Sequence, residues 1–309
     1  MNRIIDISTT KTHLSIFNGC LLVEQPQLSS SVSIPLPDIL VVIVATDAAS
    51  LTHAVLSELA TAGIPYIACD RKYMPSGILL PYSSNSLQGE RFLKQIEFKN
   101  QSILWREIIL GKLKNTAAVL NLWGRSPDFQ YAMIEKIKAG SDINLCEAMA
   151  AKDSFSRLFG IEFSRRDDGF HENSKLNYGY TVLRSLVARF VCASGLHPTL
   201  GVYHHNKYNS FALADDFMEP FRPFIDHLVL EILNNGNRGV NLEREDKLHL
   251  SGGILARWIC NDQSRTLVNW VELTVRAWAQ YIFSFQEKPM AAPLFEKPEN
   301  FDTGELFEE

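Results

Sequence analysis

The densest polar stretch of this 309-residue chain runs from Gly201 to Pro223 and holds two histidines (His204, His205), three carboxylates (Asp215, Asp216, Glu219) and two bases (Lys207, Arg222). Asp216 and Glu219 are three residues apart, and Asp215 and Glu219 four apart, so on a helix Glu219 shares a face with another acid. Carboxylates held close repel one another unless a cation sits between them. A divalent ion answers that repulsion, and His204 or His205 can add a nitrogen to it, a mixed oxygen and imidazole set that suits Mg²⁺ or Mn²⁺ better than a structural zinc site. Adjacent histidines do not easily face one point, and the same acids could simply cap or solvate a helix. Pro220 disfavours helical geometry in the residue before it, so the helix is expected to kink or end near Glu219 and aim that carboxylate into a cleft.

A second segment, Asp142 to Gly160, reads as a helix with Asp142 as N-cap and Gly160 as its stop. Within it, Glu147 has Ala150 and Ala151 one turn on, small residues that would leave room for a bulky substrate, while an exposed glutamate beside good helix formers is the plain alternative. Arg184, Arg189, Lys207 and Arg222 lie close in sequence to the acids and can hold phosphates that carboxylates alone would repel; each also serves as an ordinary salt-bridge former. The chain has no GxxxxGK[ST], no GxGxxG after a strand, no HExxH and no GxSxG. Nucleotide hydrolysis, dinucleotide redox chemistry and serine hydrolysis therefore lose their usual support.

The elements that must position these residues divide in two. From Arg3 to Leu80, short apolar runs are broken by turn residues: Ile4-Ile5, Leu14 to Ile16 before Asn18-Gly19, Leu21 to Val23, Ile39 to Val44 and Ile64 to Cys69 read as strands. One helix is expected at Ser50 to Ala62, closed by Gly63. The polar stretch Tyr82 to Gly89 has linker composition. Beyond Arg91 the period becomes helical, with helices expected at 91–114, 115–123, 128–138, 142–159, 176–194, 211–234 and 264–284. Leu176, Tyr180, Leu183, Val187 and Phe190 or Val191 form a core stripe, ended by Gly195 and Pro198. The expected fold is α+β with two domains: a small β domain (1–85), a linker and first helical turns (86–98), a larger α-helical catalytic domain (99–287) and an acidic, mobile tail (288–309).

Composition agrees with a globular protein, at 46% hydrophobic and 21% charged residues. The formal charge of −5 is matched by the last fourteen residues alone, which carry six acids and one lysine, so the body is neutral and open to local basic patches. Five scattered cysteines without a CxxC suggest neither disulfides nor a zinc site. No apolar run approaches the roughly 18 to 20 residues of a membrane span. Asp6 interrupts the first apolar stretch, unlike a secretory signal, so a cytoplasmic location without membrane contact is expected.

Taken together, the segments resemble the CRISPR-associated integrases, the enzymes that insert new spacers into a CRISPR array, over nearly the whole chain. The family's Glu-x-x-Ala-Ala helix is matched by Glu147 to Ala151, its Asn-Tyr-Gly-Tyr by Asn177 to Tyr180, and its Ala-x-Gly-Leu-His-Pro turn by Ala193 to Pro198. Its Gly-x-x-His element fits Gly201 to His204, and Asp-x-Met-Glu-Pro-Phe-Arg-Pro fits Asp216 to Pro223. The stretch from His204 to Asp216 is most similar to integrases of systems with a single large effector nuclease (type II). The resemblance implies Glu147, His204 and Glu219 as catalytic metal ligands for Mg²⁺ or Mn²⁺, His204 rather than His205; Asp216, beside them in the sequence, is taken as a supporting carboxylate. It also implies a β domain used in dimerisation, a homodimer, a small ferredoxin-like companion protein, and double-stranded DNA (prespacer and CRISPR repeat) as substrate. The implied reaction is transesterification, in which the 3′-hydroxyl of a short foreign fragment attacks a phosphodiester at the repeat boundary. A nuclease that cuts branched DNA without integrating, and a non-catalytic DNA scaffold, are the rival readings.

Overall fold

Six consecutive apolar residues, Ile39 to Val44, are all buried, as a strand covered on both faces requires. In the computed structural model, which describes residues 3–7, 11–26, 30–69, 75–79, 88–167, 170–236, 241–284 and 288–299, this strand is the centre of the N-terminal region. The strands there are β1 (Arg3–Ile7), β2 (Thr12–Phe17), β3 (Cys20–Gln25), β4 (Ser30–Pro35), β5 (Ile39–Val44), β6 (Ala49–Leu51), β7 (Tyr66–Cys69) and β8 (Pro75–Leu79), with helix α1 (His53–Thr61) before β7. One sheet has the order β1-β5-β7-β8, parallel except for the antiparallel β7/β8 pair; the other has the order β4-β3-β2-β6. Asn18 (φ 49°) and Gly19 (φ 74°) make the tight turn of the β2/β3 hairpin, the left-handed pair that such a loop demands.

Because side chains alternate along a strand, β5 serves two cores. Val42 and Val44 pack with Leu14, Leu21 and Val55 between the sheets, while Val41 and Ile43 join Ile67 in the core of the helical part. Polar ties cross the same seam: Tyr178 donates its hydroxyl to Asp6 (2.6 Å), and Arg189 donates to the Leu40 carbonyl (2.9 Å).

The helical part comprises α2 (Gln88–Glu97), α3 (Gln101–Leu122), α4 (Asp128–Lys138), α5 (Ile143–Phe159), α6 (His171–Ala193), α7 (Ala212–Phe217), α8 (Arg222–Asn234), α9 (Arg244–Leu255) and α10 (Leu267–Ser284). A small antiparallel sheet of β9 (Arg257–Cys260), β10 (Gln263–Thr266) and β11 (Phe295–Pro298), in the order β10-β9-β11, completes it. No described helix is long and apolar enough to cross a membrane.

Several boundaries differ from those expected. The break assigned after 114 falls at 98–100 instead, and α3 runs unbroken through Asn115. Asn115 is a tertiary clasp: its amide donates to the carbonyls of Pro220 (2.8 Å) and Pro293 (3.0 Å) and accepts from the Phe295 amide (2.8 Å). The helix expected over 211–234 is divided into α7, a 3₁₀ turn at Glu219–Phe221, and α8. Helix α9 escaped the periodicity because Gly252 and Gly253 dilute it; a Cβ on Gly253 would come within 2.3 Å of Leu228, so α8 and α9 pack only across a glycine. Residues 264–266 are strand, joined to β9 by a turn with Asn261 and Asp262 in the left-handed region.

The tail assigned as mobile from 288 is corrected over its first part. Ala292 and Phe295 are buried, and β11 pairs with β9, because Phe295 finds a pocket of Phe224 and Trp258 while Asn115 holds its backbone. Residues 300–309 lie outside the described residues, as do residues 82–87 of the stretch Tyr82 to Gly89 read as linker, whose last two residues, Gln88 and Gly89, open α2.

Candidate functional site

Glu147 is positioned by α5. Asp142 caps that helix, its carboxylate accepting from the Leu145 amide (2.8 Å), and Gly160 ends it at φ 108°. The helix is tied to its neighbours by Trp105 donating to Asn144 (3.0 Å) and by Gln130 donating to the Ala150 carbonyl (3.0 Å). Glu219 is positioned by the 3₁₀ turn that Pro220 enforces, and that turn lies against α3 at Gly111, where a Cβ would meet Ala292 at 2.7 Å and Pro220 at 3.4 Å.

The next residue of α3, Lys112, brings the two acids together. Its ammonium hydrogen-bonds Glu147 Oε1 and lies 2.7 Å from Glu219 Oε2, while Arg222 Nε lies 2.9 Å from Glu219 Oε1. Burial alone would raise the Glu219 carboxyl, but Arg222 and Lys112 outweigh it and hold the group below its usual range. Burial likewise opposes the charge on Lys112, and Glu219 and Glu147 more than offset it, so the ammonium is held above its ordinary value. Glu147, Glu219, Lys112, Arg222, Arg165 and Tyr180 line one cleft of about 270 Å³, with Ala151 contributing to its wall.

His204 is positioned from beneath. Asp216, fully buried, accepts at Oδ2 from the amides of Val202 (2.6 Å) and Tyr203 (2.9 Å), and its Oδ1 lies 2.5 Å from His204 Nδ1. Gly201 is required by this hub, since a Cβ there would stand 2.2 Å from the His204 carbonyl oxygen. The hydrogen bond to Asp216 raises the imidazole's affinity for a proton against its partial burial. With Nδ1 engaged, Nε2 is the nitrogen presented elsewhere, the usual arrangement of a ligating histidine. His205 turns away and lines a different, open cavity of about 530 Å³ with Asn206 and Lys207.

The remaining candidates separate. Arg222 faces the cleft. Arg184 is spent on Asp215, with Nε and Nη2 at 2.6 and 2.8 Å, so Asp215 is drawn away from Glu219. Arg189 is half-buried on the Leu40 carbonyl, and Lys207 lies exposed over the Tyr208 ring. As placed, Arg184 and Arg189 are both engaged within the protein.

Sequence reasoning missed Lys112, Arg165 and Asp226. Arg165 is held by Asn173 (2.5 Å) and Asn177 (2.8 Å) with its guanidinium over the Tyr180 ring. Asp226, at the base of the cleft, accepts from the Tyr180 hydroxyl, and burial pushes its carboxyl up to about 6. One signal was available for Lys112: a lysine between Ile108, Ile109 and Leu113 on an apolar helix needs a partner.

Among the described residues, no three acidic, histidine or cysteine side chains stand close enough to hold a metal ion together as placed. The ammonium of Lys112 occupies the gap between Glu147 and Glu219. Two carboxylates sharing a cation, with an imidazole anchored nearby through Nδ1, are nonetheless donor types that a hard divalent ion takes.

Comparison with known proteins identifies the family of the chain. The chain is 34% identical to the CRISPR-associated endonuclease Cas1 of Neisseria meningitidis serogroup C over 241 residues, 77% of this chain and 78% of the relative. Its fold is similar to a casposase bound to integration product (TM-score 0.79, 19% identity, 98% of this chain and 97% of that one). It is also similar to a Cas1 protein from Thermotoga maritima (TM-score 0.77, 18% identity, 93% and 99%). The profile of the CRISPR associated protein Cas1 family matches residues 5–247, and the chain belongs to that family.

Proposed function

We propose that this protein is a divalent-metal-dependent DNA integrase that joins short DNA fragments into a CRISPR array. The observation that carries the reading is the convergence of Glu147 and Glu219, from separate elements, on one cation in a cleft also lined by Arg165 and Arg222. Bound by Glu147, Glu219 and His204, Mg²⁺ or Mn²⁺ would polarise the phosphoryl oxygen and stabilise the attacking and departing oxygens.

The chain's own residues orient and neutralise. Asp216 engages His204 Nδ1, which leaves Nε2 as the nitrogen that would reach the metal. Arg165, braced by two asparagines, and Arg222 offer guanidinium donors to phosphate oxygens. In the joining step a 3′-oxygen forms a bond to phosphorus, loses its proton to solvent, and displaces another 3′-oxygen that takes one up. One phosphodiester replaces another, so no nucleotide triphosphate is consumed. Water in place of the attacking hydroxyl gives hydrolysis, the activity carried in the name of the Neisseria relative.

An integration assay with prespacer and repeat-containing DNA, run with and without chelator, tests the reading. Strand-transfer product that needs metal and disappears in Glu219→Gln is expected; chelator-resistant product, or an active Glu219→Gln protein, sinks it. Cleaved array without joined product would instead favour the nuclease. The homodimer and the small companion protein belong to the same proposal, and light scattering of the purified chain, alone and with that companion, checks them.

A further inference from the structure

Lys112 stands where the proposed site needs a cation. Its ammonium is the sole cationic partner within ion-pair distance of Glu147 among the described residues, and it bridges that acid to Glu219 on a different element. Arg222 reaches Glu219 alone. Without Lys112 the two carboxylates would face one another with little between them, in a place where Glu219 is only 7% exposed.

A divalent ion and this ammonium cannot share the gap. Metal to carboxylate oxygen distances are about 2.0 to 2.6 Å for Mg²⁺ and Ca²⁺, and Lys112 Nζ already lies 2.7 Å from Glu219 Oε2. An ion ligated by both acids would sit nearly on top of the ammonium, where like charges repel strongly even when screened by the protein. The side chain also has somewhere to go. Its four-carbon stem is flexible, the cleft beside it holds about 270 Å³, and Asp226 offers another carboxylate along the same wall.

We propose that Lys112 is the resident counter-ion of the metal-free site, that it must leave Glu147 and Glu219 before a divalent ion binds, and that this competition sets the site's metal affinity. The proposal rests on the metal-site reading above. Its physical consequence is a site that stays folded and neutralised when empty, and that binds metal more weakly than its carboxylates alone would.

Mn²⁺ binding, followed by electron paramagnetic resonance of the free ion, tests this on the full-length protein, Lys112→Met, Lys112→Arg and Glu219→Gln. Lys112→Met is expected to bind Mn²⁺ about ten-fold tighter or more, as removal of a unit charge from a few ångströms away requires. Lys112→Arg should stay as weak as the unaltered protein. In chelator, Lys112→Met should melt below the unaltered protein and recover with Mn²⁺. Equal or weaker Mn²⁺ binding by Lys112→Met overturns the proposal. Should that variant fail to fold, acylation of Lys112 in the unaltered protein, read by peptide mass spectrometry, decides: Mn²⁺ should increase labelling several-fold, and unchanged labelling refutes displacement. If the unaltered protein shows no Mn²⁺ site that Glu219→Gln removes, the metal-site reading falls and this inference with it. A site that is present but indifferent to Lys112 sinks this inference alone.

Discussion

Asp216 and Glu219 are three residues apart, equally acidic and both buried, yet the fold treats them in opposite ways. Asp216 accepts from backbone amides of the 202–204 turn and from the His204 ring, in a hub so tight that Gly201 cannot carry a side chain. Glu219 is held by two long, flexible cations, and its Oε2 faces Lys112 without an aligned hydrogen bond. Backbone amides cannot be exchanged for another ligand without unfolding the turn, whereas an ammonium can swing aside. The first carboxylate is thus built to hold shape and the second to change partners. The distinction comes from the donors each side chain meets, since nothing in the residue type separates them.

The contrast breaks most visibly in activity. Glu219→Gln should lower strand transfer by about 10² or more, the usual cost of removing a ligand or charge-stabilising group, and should also lower the melting temperature, because Lys112 and Arg222 lose their shared carboxylate. Unchanged strand transfer in a folded Glu219→Gln protein would mean that Glu219 is structural after all. Asp216→Ala should do the reverse first: leaving several buried amides without an acceptor costs about 3 kcal/mol or more, seen as a lower melting temperature and as proteolysis within 201–206, with activity lost only as a consequence.

Asp226 sharpens the comparison through pH. Its carboxyl, shifted from 3.8 to about 6 by burial, favours the neutral form in the fold. That contribution to stability is complete below about pH 4 and is lost as pH rises through about 6. The advantage of Asp226→Asn over the unaltered protein should therefore grow by about 2 kcal/mol between about pH 4 and about pH 8, measured by urea denaturation at both values. An equal difference at the two pH values would refute the assignment.

The smallest effect separates the arginines. Arg165→Ala should weaken DNA binding and reduce the dependence of log K on log salt by about one ion. Arg184→Ala, which breaks the pair with Asp215, should leave that slope unchanged. Equal slopes for the two variants would return Arg184 to the DNA-binding face.

Much of this architecture was legible because local signals agreed with tertiary demand. The apolar run Ile39 to Val44, the Asn18-Gly19 turn and the Asp142 cap on α5 each behave as their residue types require. Elsewhere a local signal was overruled. Asn115 looked like a break and is a buried clasp between Pro220, Pro293 and Phe295. The acidic end looked too poor in apolar residues to order itself, and its described residues, 288–299, are held in place because Phe295 packs between Phe224 and Trp258.

At the candidate site, the sequence alone determined which acids and which histidine to consider, through the spacing of Asp215, Asp216 and Glu219 and the family motifs around Glu147 and His204. Only the tertiary structure decided what each of them faces. Helix α3 contributes no acid to the site, yet it inserts Lys112 between carboxylates separated in the chain by 72 positions. Arg165, Tyr180 and Asp226 reach the cleft from α6, α8 and the segment before them. Such partners are invisible to spacing, because the ammonium that neutralises an acid is chosen by proximity in space, and proximity is settled only when the helices pack.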